Sequence, residues 1–199
     1  MSANLTIRAF HPEESELLAG FQRDPTNSAL TYGTVLMPRG TAEVRRLLES
    51  GSSRGDLIWA WADADDRPLG FSVLSKVDRV NWTLWTGSAV FDIADRGRGV
   101  GMAGRRAVLD LVFNEFGFRR IFGEFATFNE ASRRSHLKMG AEFIGGRRQA
   151  YFVSGRFYDS VLYTISRERF NELEPVDPGR YLGQRTTDPS RSPQASERP

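Results

Sequence analysis

A mixed α/β (α+β) fold is predicted, with one mostly antiparallel central sheet of about seven strands flanked by helices. Three observations predict it. Leu57–Ala62 and Leu69–Val77 are apolar runs joined by the polar turn Asp63-Ala64-Asp65-Asp66-Arg67-Pro68, and the turn Asp78–Asn81 leads into a third run ending near Asp92. Three strands joined by short turns form an antiparallel meander. A single glycine-rich segment, Arg96-Gly97-Arg98-Gly99-Val100-Gly101, then separates the meander from a helical run ending at Phe116. Finally, only one strand leads into that loop and helix. The repeated βαβ units of a doubly wound parallel sheet are missing.

The elements follow in chain order. Leu5–Phe10 alternates and reads as a strand. Pro12 suits the first turn of a helix, with Leu17, Leu18 and Phe21 on one face. Residues 24–40, rich in Pro, Gly, Thr and Asn, read as one long loop, and loops of that length are often functional. Thr41 caps a helix over 42–50, with Val44, Leu47 and Leu48 as its apolar stripe. After the meander and the glycine loop, helix 101–116 turns Val108, Leu111, Val112 and Phe116 inward and stops at Gly117. Arg120–Ala126 is a strand. Asn129 caps a helix over 130–139, which stops at Gly140. Two last strands, 142–153 and 157–166, flank a hairpin turn at Ser154-Gly155. Residues 1–170 are expected to form the domain. Residues 171–199, which hold five of the nine Pro, are expected to be a disordered tail.

Composition narrows the function classes. There is no Cys, which excludes disulfides, thiolate metal sites and Cys nucleophiles. The two His, His11 and His136, lie far apart, so no metal site is expected. Net charge is +2, too small to argue for nucleic acid. The Arg pairs that recur along the chain read mostly as solvated surface, with those near the glycine loop available to ligand phosphates. Met1–Leu5 has no basic start before an apolar run. No stretch approaches the ~20 apolar residues of a membrane helix. A cytoplasmic protein without a membrane partner is therefore expected.

The glycine loop is the chemical motif. Gly97, Gly99 and Gly101 let backbone approach a ligand, and the helix behind them opens with free N–H groups, which is the physics of a pyrophosphate cradle. The spacing is R-x-x-G-x-G. It is neither the G-x-G-x-x-G of a dinucleotide fold nor a Walker loop, since no Gly-Lys-Ser/Thr follows.

Arg96-x-x-Gly99-x-Gly101 resembles the acetyl-CoA motif of the GCN5-related N-acetyltransferases. Arg120–Phe125 followed by Asn129-Glu130-Ala131-Ser132 resembles that family's next strand and helix, and Lys138-Met139-Gly140-Ala141 its usual ending. Gly155-Arg156-Phe157-Tyr158-Asp159 and Tyr163 resemble the closing hairpin of the branch that modifies ribosomal protein N-termini. The resemblance implies a set of donor contacts. The strand edge Phe91, Asp92, Ile93 would bond the pantetheine amides as an added strand does. The backbone of Arg96, Gly97, Arg98, Gly99, Val100, Gly101 and Met102 would hold the pyrophosphate. Asn129 and Ser132 would contact the pantetheine arm, with helix capping as the alternative role.

Acetyl transfer to an amine needs a neutral amine, stabilisation of the developing oxyanion and a proton for the leaving thiolate. A Lys-type amine of pKa ~10.4 is neutral about once in two thousand molecules at pH 7, an α-amine about one time in ten. The candidate base is Glu124, a carboxylate in an otherwise apolar strand, with a buried ion pair to an Arg as the alternative. The candidate acid is His136. It falls where the resemblance places a Tyr that protonates the thiolate, with an exposed helix residue as the alternative. Some relatives carry a Glu on the preceding strand, but Thr86 occupies that position here. Trp85 and Tyr151, with Trp82, Tyr158 and the 24–40 segment, are candidates to line the acceptor pocket, or else core. Asp159 either pairs with a cationic substrate or fixes the hairpin.

The function expected is acetyl-CoA-dependent N-acetylation of a primary amine by direct attack in a ternary complex. The acceptor would be a small metabolite, an antibiotic or amino sugar, or a protein N-terminus. A different acyl group, a carrier-protein donor and a non-catalytic acyl-CoA-binding module stay as alternatives. Acetyl-CoA is the co-substrate, no metal is expected, and a homodimer is left open.

Overall fold

A computed structural model of the chain describes residues 5–33, 39–50 and 56–174. The strands are β1 Thr6–Ala9, β2 Leu57–Ala62, β3 Pro68–Asp78, β4 Thr83–Val90, β5 Arg120–Ala126, β6 Glu142–Gly145, β7 Tyr151–Val153, β8 Arg156–Tyr158 and β9 Ser160–Ser166. The helices are α1 Ser15–Arg23, α2 Pro25–Tyr32, α3 Thr41–Ser50, α4 Val100–Asp110, α5 Glu130–Lys138 and α6 Arg167–Leu173. The central sheet has seven strands in the order β1-β2-β3-β4-β5-β9-β6. Every pairing in it is antiparallel except β4 with β5. Among the described residues no helix is long and apolar enough to cross a membrane.

Strand alternation sorts side chains onto two faces. One face packs Phe71, Ala60 and Ala89 against Leu18, Ala19 and Phe21 of α1 and Val44 of α3. The other packs Trp61, Leu74, Leu84, Ile121, Tyr163 and Ile165 against Val108, Leu109, Val112 and Phe113 of the α4 segment, Met139 and Phe170. Gly104 of α4 lies directly on the Trp61 ring, so that a Cβ there would overlap it. Helix and sheet meet at close range at this point.

The structure departs from the sequence reading at several places, each with a local reason. Residues 25–32 are helical rather than loop: Asp24 accepts a bond from Asn27 N at 2.7 Å, Pro25 fills the first turn and Gly33 closes the end at φ 73°. Residues 34–38 of the expected loop lie outside the described residues. On α1 the buried residues are Leu18, Ala19 and Phe21, while Leu17 faces out. α4 runs on as a π-helical turn, Leu111–Glu115, closed by Phe116 N to Leu111 O at 2.9 Å. That extra residue turns Phe116 out of the core and brings Phe113 in.

The expected long hairpin is broken into two pieces. β7 and β8 form their own two-stranded ribbon around Ser154-Gly155, both at positive φ, while β9 pairs with β5 and β6. Thr127 N donates to the Asp159 carbonyl, 3.0 Å, and carries the β5–β9 pairing one step past Ala126/Ser160. α6 runs to Leu173, into the segment expected to be tail, with Ser166 as its cap. Residues 175–199 of that tail lie outside the described residues.

Candidate active site

The parallel pair β4–β5 is bonded only at Thr83/Arg120, Leu84/Ile121 and Trp85/Phe122. Beyond that point β4 continues to Val90 and β5 to Ala126 with no pairing between them. The edge of Thr86–Val90 that faces β5 therefore carries backbone groups without a neighbouring strand. A cleft of about 440 Å³ opens there, between the edge, the glycine loop and α5. That size suits a ligand pocket. Leu30 and Thr31 of α2 line it as well.

Arg96, Gly97, Gly99, Gly101 and Met102 lie on one wall. Gly99 has φ 90° and caps α4 with no side chain, and the first intrahelical bond is Ala103 N to Gly99 O at 3.0 Å. The N–H groups ahead of Ala103 are thus free at the helix start, where the macrodipole favours an anion. A Cβ on Gly97 or Gly99 would meet nothing within 4 Å. The space in front of the loop is open, and the cradle fits a pyrophosphate. Arg96 bonds Asn27 of α2 and the Val90 carbonyl, 3.2 Å. Asn129 caps α5 through Ser132 N, 3.0 Å, and donates to the Leu30 carbonyl, 2.8 Å. Both polar ends of Asn129 are structurally engaged, and α2 is pinned at both ends of the cleft.

Phe91, Asp92 and Ile93 do not line the cleft. β4 ends at Val90. The Phe91 ring packs with Phe10, Phe21 and Phe71, Asp92 caps a 3-10 turn at Ile93–Asp95, and Ile93 faces solvent. The strand edge that borders the cleft is Thr86–Val90 instead. Arg98 and Val100 also stand outside the lining; Arg98 lies 3.9 Å from Asp95 on the surface.

Below the edge sits a polar cluster on the α4/α5 face. Arg105 donates through Nε to Ser88 Oγ and through Nη1 to Ser135 Oγ, both 2.6 Å. His136 is buried, stacked on Phe125 at 5.5 Å and leaning on Tyr163 at 4.0 Å. Its Nδ1 lies 2.7 Å from the Ser132 carbonyl, so Nδ1 carries the proton and Nε2 is bare. Burial, then the nearby Arg105 charge, pushes its pKa down to about 3. At neutral pH His136 is uncharged and has no proton on Nε2 to give. Neither the expected exposed residue nor a proton donor matches this geometry. Burial pushes the Tyr163 phenol up to about 12, and Arg105 pulls the other way.

Glu124 faces the opposite side of β5 and lines the cleft. Both its oxygens are held by Arg147, from Nε and Nη2 at 2.7 Å each. The Tyr151 ring covers Gly33 at the end of α2. Trp85 packs on Phe122 and lies under Lys76 Nζ, 3.9 Å away. Asp159 receives Gln149 N at 2.8 Å, which fixes the hairpin. Trp85, Tyr151 and Asp159 are not on the cleft wall. Sequence reading did not single out the Thr86–Val90 edge, took the α2 segment for a loop, and placed Arg105 only among the Arg pairs near the glycine loop and Tyr163 only in the closing hairpin. Arg105 had a signal: with Gly101, Val108 and Val112 it shares the inward helix face, where a cation stands out.

A split parallel pair in an otherwise antiparallel sheet, with a glycine cradle on one lip, defines an α+β fold with a ligand cleft at the split. Residues 4–142 match the family model described as acetyltransferase (GNAT) domain, and the chain belongs to that family. It is an N-acetyltransferase by class. The chain is 26% identical over 167 residues to the SPbeta prophage-derived uncharacterized N-acetyltransferase YokL of Bacillus subtilis (strain 168), covering 84% of this chain and 92% of the relative. Spermidine N-acetyltransferase from Vibrio cholerae, in complex with CoA and spermine, superimposes with a TM-score of 0.74 at 16% identity, over 83% of this chain and 97% of that one. A structure described as a probable acetyltransferase gives 0.71 at 22% identity, over 83% and 94%.

Proposed function

We propose that this protein moves an acetyl group from acetyl-CoA to a primary amine on a small molecule, by direct attack in a ternary complex. The observation that carries the reading is the split: β4 and β5 part after Trp85/Phe122 and leave an unpaired strand edge beside the glycine cradle. An amide-bearing arm adds to such an edge as a strand would. A diphosphate then lies at the start of α4. The chain has no Cys, so an acyl-thioester enzyme intermediate has no nucleophile.

On the acceptor side Glu124 is the carboxylate in reach. With both oxygens on Arg147 it acts on the amine once one oxygen is released, or through a water. The lining carries Arg96, Arg105, Arg134 and Lys138 against Glu124, which is already paired. Those cations lie on the cradle and α5 walls, where they suit the anionic donor.

The test is CoA release, with mass detection of the acylated product, across peptides with free α-amines, amino sugars, simple monoamines and polyamines. N-acetyl product from a monoamine supports the reading. Tight acetyl-CoA binding without turnover on any amine favours a binding module. Turnover only with a longer acyl-CoA or a carrier-bound donor moves the donor assignment.

A further inference from the structure

Arg105 is a cation on the inward face of α4. Two serine hydroxyls hold it, Ser88 on β4 and Ser135 on α5, and among the described residues no carboxylate pairs with it. Taking a guanidinium out of water without a counter-charge is costly. The cluster makes sense when an anion arrives from the cleft, which Arg105 lines. Tyr163 stands beside it, 3% exposed and also on the cleft wall. Tyr163 is the register partner of Gly123, and Gly123 follows Phe122, the last β5 residue paired with β4. Its ring covers Gly123, where a Cβ would collide with the phenol. The phenol is therefore at the apex of the split. Ser88, which carries Arg105, is three residues past Trp85 on the other arm.

We propose that Arg105 and Tyr163 form the leaving-group pole of the active site, the guanidinium stabilising the CoA thiolate as it departs and the phenol protonating it. The proposal rests on the donor reading above. The amine nitrogen bonds to the thioester carbon, the carbon–sulfur bond breaks and its electron pair stays on sulfur. Tyr163 gives its hydroxyl proton to that sulfur. The proton lost by the amine nitrogen passes to solvent, and the phenolate is reprotonated from solvent. The groups facing this spot are Ser72 from β3, Thr86 and Ser88 from β4, Arg105 from α4, Ser135 and His136 from α5, and Tyr163 from β9. Arg105 is the one charged group among them. His136 does not compete as donor, since its protonated nitrogen is turned to the Ser132 carbonyl.

The experiment needs no acceptor. CoA is bound to the full chain and its thiol is titrated by the ultraviolet absorbance of the thiolate. In the wild type the bound thiol titrates below free CoA. In Arg105→Met its pKa rises by about 1 to 3, in Arg105→Lys it returns toward wild type, and in Tyr163→Phe it rises by about 1. His136→Asn leaves it in place. Arg105→Gln carries the same test if the Met variant does not fold. Equal thiol titration in all variants that bind CoA overturns the pair and leaves the donor reading standing, as does a shift in His136→Asn alone. No CoA binding by the wild type overturns the donor reading, and the pair with it.

Discussion

Replacing Gly99 by Glu loads the molecule in two separable ways. The residue sits at φ 90°, where an L side chain costs ~1–2 kcal/mol. Because a Cβ there meets nothing within 4 Å, no steric term is added, and the loss of stability stops near that figure. The second load appears only with ligand present. A carboxylate ~4 Å from a diphosphate charge repels it by ~1 kcal/mol in bulk water and ~4 kcal/mol at an effective dielectric of ~20. CoA affinity then falls by about 5-fold to 1,000-fold. Gly99→Ala carries the strain without the charge and separates the two. Calorimetric titration with CoA, beside urea unfolding of both variants, reads both quantities. The expected result is similar stability for the two variants and much weaker CoA binding for Glu. If the Glu variant binds CoA as the Ala variant does, no anion lies against this loop.

Three further outcomes follow from particular contacts. Gly104→Ala gains ~1 kcal/mol of helix propensity but overlaps Trp61 at a typical cost of 1–3 kcal/mol, so Tm should fall; a higher Tm contradicts the close approach. Glu124→Gln should lower kcat by ~10²-fold or more, most at low pH where free neutral amine is scarce, and an unchanged pH–rate profile removes Glu124 as base. His136 has a folded pKa of about 3, below its unfolded value of 6.5, so the unfolded chain binds the extra proton as pH falls. The native state is favoured fully above pH ~6.5 and loses up to ~1.4 kcal/mol per pH unit down toward about pH 3. His136→Asn should make that branch of the stability curve shallower in urea melts, and equal slopes would contradict a buried neutral ring.

Much of the fold was legible because its signals are local. The meander, the cap at Asn129 and the stops at Gly117 and Gly140 are each written in a few adjacent residues. So is the cradle, since φ 90° at Gly99 is a demand one residue can meet. What was not legible depends on partners far along the chain. Asp24-Pro25 and Gly33 do mark a helix, but its purpose shows only when Asn27 meets Arg96 and Leu30 meets Asn129. The point at which β4 leaves β5 follows from strand register, which no local pattern encodes. His136 was read as a proton donor or else an exposed helix residue, because α5 is polar overall and nothing local marks it as buried. Its burial comes from Phe125 and Tyr163, contributed by two other strands. Glu124 was identified as unusual from its apolar strand, yet its partner Arg147 lies across the β6–β7 connection.

The central claim is that the donor lies in the split between β4 and β5, along the edge Thr86–Val90 and against the start of α4. Amide hydrogen exchange with and without CoA tests it most directly. The account predicts new protection at the amides of Thr86–Val90 that do not bond β3, and at Val100–Met102, with the β1–β2 edge of the sheet unchanged. CoA binding that protects neither segment, or protects a different face of the sheet, contradicts it.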